Sequence, residues 1–154
     1  MEALRRNVLK GTASAGAVAV AVLAGLLKPN QVLAAPRSAF EAKNVGEVLK
    51  GMGASDLFDS KDIIIKSPDI AENGAVVPVE VISGITGTTK IAIVAEKNAT
   101  PLVADFSLLG GAMGFISTRI KMGQTGLIRV VVTADGKSYT ATKEVKVTVG
   151  GCGG

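Results

Sequence analysis

The only cysteine of the chain, Cys152, lies among Gly150, Gly151, Gly153 and Gly154 in the run KVTVGGCGG. A structural cysteine belongs in an apolar segment, because a free thiol packs as a small hydrophobe. Glycines have no side chain to bury and lose the most backbone entropy on ordering, so four of them make a slender, mobile thread. The pattern therefore presents a sulfur atom to something outside the fold. A solvated thiol has an ordinary pKa near 8.5 and is only about 3% thiolate at pH 7, so the chain supplies little activation of its own. Its chemistry is attachment, with a partner enzyme bringing the electrostatics or the metal. The extended thread from Val149 to Cys152 reaches about 10 Å and could enter a narrow channel closed to a folded domain.

Other chemistries find no residues to carry them. The chain has no histidine, so serine and cysteine triads lose their usual base. One cysteine without histidine cannot build a thiolate or imidazole metal site from this chain alone, and no metal or other cofactor is expected. The carboxylates are scattered without paired spacing and read as solvated charges. Gly84 and Gly87, in SGITGTTK, miss the phosphate-loop spacing and join two strands, so a hairpin turn is expected there. Cys152 keeps two plainer readings, an intermolecular disulfide or a simple free thiol. Prenylation needs three residues after the cysteine, and two follow it here.

Residues 1–34 read as an export signal: a charged start, an apolar stretch from Thr12 to Leu27, then small residues before Pro36. That stretch is short for a spanning helix of about 20 residues, so no permanent membrane anchor is expected, a retained anchor being the alternative. Cleavage fits after Ala34 or Ala35, with Ala34 preferred. Arg5-Arg6-Asn7-Val8-Leu9-Lys10 resembles the twin-arginine motif, with Leu4 and Val8 departing from its usual residues, and the ordinary secretory route is the alternative. Twin-arginine export moves folded cargo, and a chain without a cofactor has a reason to use it when a partner is already bound. The leader also accounts for much of the basic charge. Of 17 basic and 13 acidic residues, Arg5, Arg6, Lys10 and Lys28 fall within it beside the single acid Glu2, leaving the rest near balance. No basic stripe interleaved with aromatics remains, and nucleic acid is not an expected partner.

The elements that must position the thiol follow from periodicity. At 154 residues the chain suits one domain. Ser38-Ala39-Phe40-Glu41 reads as a capping box opening a helix, with Phe40, Val48, Leu49 and Met52 on one face and Gly51 and Gly53 ending it. Ala54 to Lys61 reads as room for another short turn. Strands are expected over Asp62 to Ser67, Ala75 to Ser83, Thr89 to Glu96, Leu102 to Leu109, Phe115 to Lys121, Gly126 to Thr133 and Ser138 to Val149. Asp135-Gly136 marks a hairpin between the last two. Seven short strands at this spacing predict a mainly β domain over 35–149, a short N-terminal helix plus an immunoglobulin-like antiparallel sandwich, followed by a flexible arm, 150–154. Pro78 argues for an edge or a bulge. The uncharged stretch Leu108 to Ile116 reads either as a buried loop and strand start or as a sticky surface for another subunit.

The GGCGG ending, Gly150 to Gly154, the single-cysteine β-rich domain and the twin-arginine-like leader together resemble the SoxY family, sulfur carriers of the periplasmic thiosulfate-oxidation system. The resemblance implies that Cys152 is covalently conjugated to sulfur species and that the chain is a carrier, not an enzyme. It implies a heterodimer with SoxZ, a partner without its own export signal. Transient partners follow: SoxAX, which couples thiosulfate oxidatively to the thiol; SoxB, which hydrolyses the product; and, in some organisms, SoxCD. The competing expectation is an exported structural or adhesive sandwich cross-linked through Cys152.

Overall fold

A computed structural model describes residues 38–54 and 56–149. The leader 1–34 and the arm 150–154 lie outside the described residues.

Two short helices stand where one was expected, α1 (Ser38–Glu41) and α2 (Val45–Met52). The capping box belongs to α2. Asn44 Oδ1 accepts from the Glu47 N–H at 2.9 Å and the Glu47 carboxylate accepts from the Lys43 N–H at 2.9 Å, satisfying two donors that a helix start leaves free. The Lys43 N–H first, and then the Asn44 side chain, hold the Glu47 carboxyl below the usual carboxylate range. Gly53, at φ 71°, closes the helix in the left-handed conformation. Gly51 does not terminate the helix but lies inside it, where a Cβ would stand 3.0 Å from Ala39 Cα. The bare glycine lets α1 rest on α2. Because the break between the helices resets the helical phase, Phe40 leaves the expected apolar face and is exposed, while Val48 is fully buried.

All seven expected strands are present, with ends shifted by up to two residues. In chain order the strands are β1 (Leu57–Asp59), β2 (Ile63–Lys66), β3 (Ile70–Ala71), β4 (Val77–Ser83), β5 (Thr88–Ala95), β6 (Leu102–Ser107), β7 (Phe115–Ile120), β8 (Gly126–Ala134) and β9 (Lys137–Val147). The two unforeseen ones, β1 and β3, both pair with β9 in parallel, and β1 occupies the segment read as a turn. Strands of three and two residues carry too little pattern to be seen in sequence. They exist because the long β9 offers a free edge. The other ladders are antiparallel, as expected.

One sheet runs β1-β9-β8-β5-β6, with β3 also on β9, and the other runs β2-β4-β7. Val77, Val79 and Val81 from the small sheet meet Ile91, Ile93, Ile128, Val130 and Val132 from the large one, the main core of a sandwich. The helices add a third layer. Ala39, Ala42 and Val48 pack on Ala92, Val94, Leu102 and Val131 on the opposite face of the large sheet. Every residue from Ile91 to Ala95 is therefore buried. Pro78 sits in the half of β4 that extends past β2 and is paired by β7 alone, so the strand is an edge at that point. Asp135 at φ 48° and Gly136 at φ 74° make the tight turn from β8 to β9.

Candidate functional site

Among the described residues, the site begins where β9 hands over to the glycine thread. The end of that strand is held from both sides. On one, Lys146 N–H donates to Asp69 O at 2.9 Å, Thr148 N–H to Ala71 O at 3.1 Å, and Gly74 N–H to Val149 O at 2.8 Å. Thr148 Oγ1 donates to Glu72 O at 2.9 Å. On the other, Val147 N–H donates to Thr125 Oγ1 at 2.8 Å. Lys143 adds a side-chain tie, its ammonium 2.6 Å from Ser67 O and 3.1 Å from an Asp69 carboxylate oxygen. Backbone order is thus carried through the last residue before the glycines. Cys152, Gly150, Gly151, Gly153 and Gly154 lie outside the described residues.

The clasp residues Asp69, Gly74 and Thr125 were not foreseen. They sit in loops, and their role depends on which loops the sandwich topology brings to the end of β9. No local pattern marks them.

The stretch Leu108 to Ile116 divides between its two readings. Leu108 and Ile116 pack on the core, whereas Leu109 and Met113 are each 82% exposed. Gly110 and Gly111 have φ angles of 64° and 73°, a conformation that costs other residues strain. Gly114 lies against β4, where an added Cβ would stand 2.8 Å from Ser83 O. From there the outer face of the small sheet begins. Ile64, Ile82 and Phe115 stand opposite one another across β2, β4 and β7, and facing residues in antiparallel strands share a side. With Ile64 and Phe115 exposed, the row and the loop tip present apolar groups to solvent. Farther along the same face the rows turn polar, Lys66 opposite Glu80 and Glu80 opposite Ser117. An apolar row rimmed by polar ones is the layout of a protein-binding surface.

No group of three or more His, Cys, Asp or Glu side chains placed to hold a metal occurs among the described residues. The Arg129 guanidinium and the Glu96 carboxylate meet at 2.8 Å, and Arg129 also reaches Thr140 Oγ1 at 3.5 Å. This pair lies at the end of β5 and offers neither a free base nor a nucleophile.

Residues 49–152 match the family model described as SoxY, sulfur oxidation protein SoxY. The matched span includes Cys152. Among solved structures, that of the sulfur carrier protein SoxY from Chlorobium limicola f thiosulfatophilum is similar to this chain at 43% identity and a TM-score of 0.60, covering 66% of this chain and 93% of that one. No curated protein sequence matches the chain.

Proposed function

This chain belongs to the SoxY family of sulfur oxidation proteins, and we propose that it carries the sulfur intermediates of thiosulfate oxidation covalently on Cys152 and presents them to partner enzymes. The observation that carries the reading is the family match reaching Cys152, joined to a strand end held by hydrogen bonds through Val149. A carrier needs a firm base and a thin reach. The sandwich supplies the first, and Gly150 to Gly154 would supply the second.

In the proposed cycle, the Cys152 thiol and thiosulfate each contribute one sulfur to a new S–S bond. The thiol proton is released and two electrons pass to the haem partner SoxAX. The product is an S-thiosulfonate with one negative charge. Hydrolysis by SoxB adds water across the S–SO3 bond, giving sulfate, a proton and a persulfide on Cys152. Nothing in the cycle asks this chain for an acid, a base or a metal. Its own contribution is to hold the thiol away from the fold and leave it accessible.

The proposal includes export to the periplasm as folded cargo bound to SoxZ, with a mature chain starting at Ala35. The apolar row Ile64, Ile82 and Phe115, with Leu109 and Met113, supports a partner surface. N-terminal sequencing tests the cleavage site, and a start at Met1 in membrane fractions would favour a retained anchor. The carrier reading is tested by mass spectrometry of protein purified from cells grown on thiosulfate. Sulfur-containing adducts confined to Cys152 are expected; a symmetric Cys152 disulfide as the sole modification would instead indicate a cross-linker.

A further inference from the structure

The ladder between β4 and β7 fixes which way each main-chain group of β7 points. Ser83 N–H donates to Gly114 O at 2.6 Å, and the register then runs without a break from Ile82 opposite Phe115 to Val77 opposite Ile120. Hydrogen-bonded and non-bonded pairs alternate along an antiparallel ladder. Ile116, Thr118 and Ile120 therefore bond β4, whereas the N–H and C=O groups of Ser117 and Arg119 and the C=O of Phe115 point away from it. Pro78, which has no N–H to give, stands opposite Arg119, at a non-bonded pair as this phase requires. β7 ends its sheet, and Phe115, Ser117 and Arg119 are exposed.

Free strand edges invite pairing, and the other edges of this sandwich are blunted in ways that β7 is not. β1 and β3 have only three and two residues. β6 is broken by the extra residue Val103, set between the pairs Ala104–Ile93 and Leu102–Val94. Its Asp105 lines a small cavity against the helices, with Ala39 and Met52, so a charge points inward there. β2 has four residues, and Ile63, which faces its free side, is buried. β7 runs for six residues, FISTRI, without a proline or a register shift. Its inward side chains are Ile116, Thr118 and Ile120. Its one charge, Arg119, lies on the outer face and takes no ion pair among the described residues.

Resting on the reading of the apolar row as a partner surface, we propose that the partner chain adds a β-strand to the free edge of β7, so that its sheet continues β2-β4-β7. The row Ile64, Ile82 and Phe115 runs up to this edge, and a strand laid there extends it. The matching strand carries an apolar residue beside Phe115 and a carboxylate beside Arg119. Its main chain takes up the outward groups of Phe115, Ser117 and Arg119, which supplies affinity, while the two side-chain matches set the register. Packing of a partner on the outer face alone would leave those main-chain groups to water.

The test compares the free chain with the chain co-expressed with SoxZ, by amide hydrogen exchange read residue by residue. In the free chain the Ser117 and Arg119 amides should exchange fast and those of Ile116 and Thr118 slowly. In the complex, Ser117 and Arg119 should slow by at least about tenfold, the scale of a main-chain bond gained and shielded. A complex that leaves both amides exchanging as in the free chain overturns strand addition and leaves the partner surface standing. Ser117→Pro removes an outward N–H that bonds nothing in β4, so the free chain should keep its urea midpoint while the complex weakens about tenfold. Ser117→Ala, which keeps the N–H, should bind like the native chain. Native-like binding by both variants overturns the proposal, and equal loss in both assigns Ser117 to a side-chain contact and overturns it too. Should the proline variant fail to fold, the exchange pattern of the native complex decides alone. If no complex with SoxZ forms, the partner reading itself fails, and strand addition with it.

Discussion

The backbone N–H of Gly74 donates to the carbonyl oxygen of Val149 at 2.8 Å, so the loop before β4 holds the last residue ahead of the glycine thread. Ser67 to Gly74 runs beside the end of β9 and ties it at Asp69, Ala71, Glu72 and Gly74. Thr125 closes the opposite side. In the proposed carrier role, a root fixed in this way would bound the reach of Cys152 by the length of residues 150–152.

Thr125→Val keeps the shape of the side chain and removes the acceptor of the Val147 amide. A lost hydrogen bond of this kind costs about 1 kcal/mol, which corresponds to roughly fivefold faster opening. Amide hydrogen exchange at Val147 should rise by that factor. Unchanged exchange there would mean that the parallel contact with β3 alone fixes the root.

Leu109→Asp/Met113→Asp places two charges on side chains that are each 82% exposed. Stability of the free chain should change by less than about 0.5 kcal/mol, as for other surface substitutions. The proposed one-to-one complex with SoxZ should weaken at least tenfold, read by sizing or titration of co-expressed protein. Undiminished binding would place the partner surface elsewhere.

Gly51→Val puts a branched side chain into the 3.0 Å approach to Ala39. Overpacking together with the poorer helix propensity of valine should cost about 1–3 kcal/mol, measured from the urea midpoint. Native-like stability would show that α1 can lift from α2 without loss.

The folded pKa of Glu47 lies below its ordinary value of 4.5 because the Lys43 amide, then Asn44, favours the charged form. A lowered carboxyl pKa contributes stability that is fully present above the unfolded value and is lost as pH falls through the folded one. Glu47→Gln should therefore unfold more easily than the native chain at about pH 6, and the gap should close in stronger acid. A gap that persists unchanged into acid would assign the effect to packing. The side chain is fully exposed, so the difference should be small.

The sequence alone determined the local features of this protein. Alternating valines and isoleucines placed the seven longer strands, because a period of two needs only one chain segment to be visible. Asp135-Gly136 marked its turn through the positive φ that glycine tolerates. Isolation of the one thiol among glycines singled out Cys152 as the candidate attachment point without any fold, while its disulfide and free-thiol readings stayed open. Tertiary structure decided what depends on distant partners. β1 and β3 are strands only because the edge of β9 is there to pair with them. Along the apolar run Ile91 to Ala95, only the packing of Val48 and Ala39 over Ala92 and Val94 shows what covers the second face of the large sheet. The exposed half of Leu108 to Ile116 depends on where Gly110 and Gly111 turn the chain away from the core. The clasp at Val149 joins residues 75 positions apart, Gly74 and Val149. Hydrogen bonds between loops carry no periodicity, and only the folded sandwich brings those loops together.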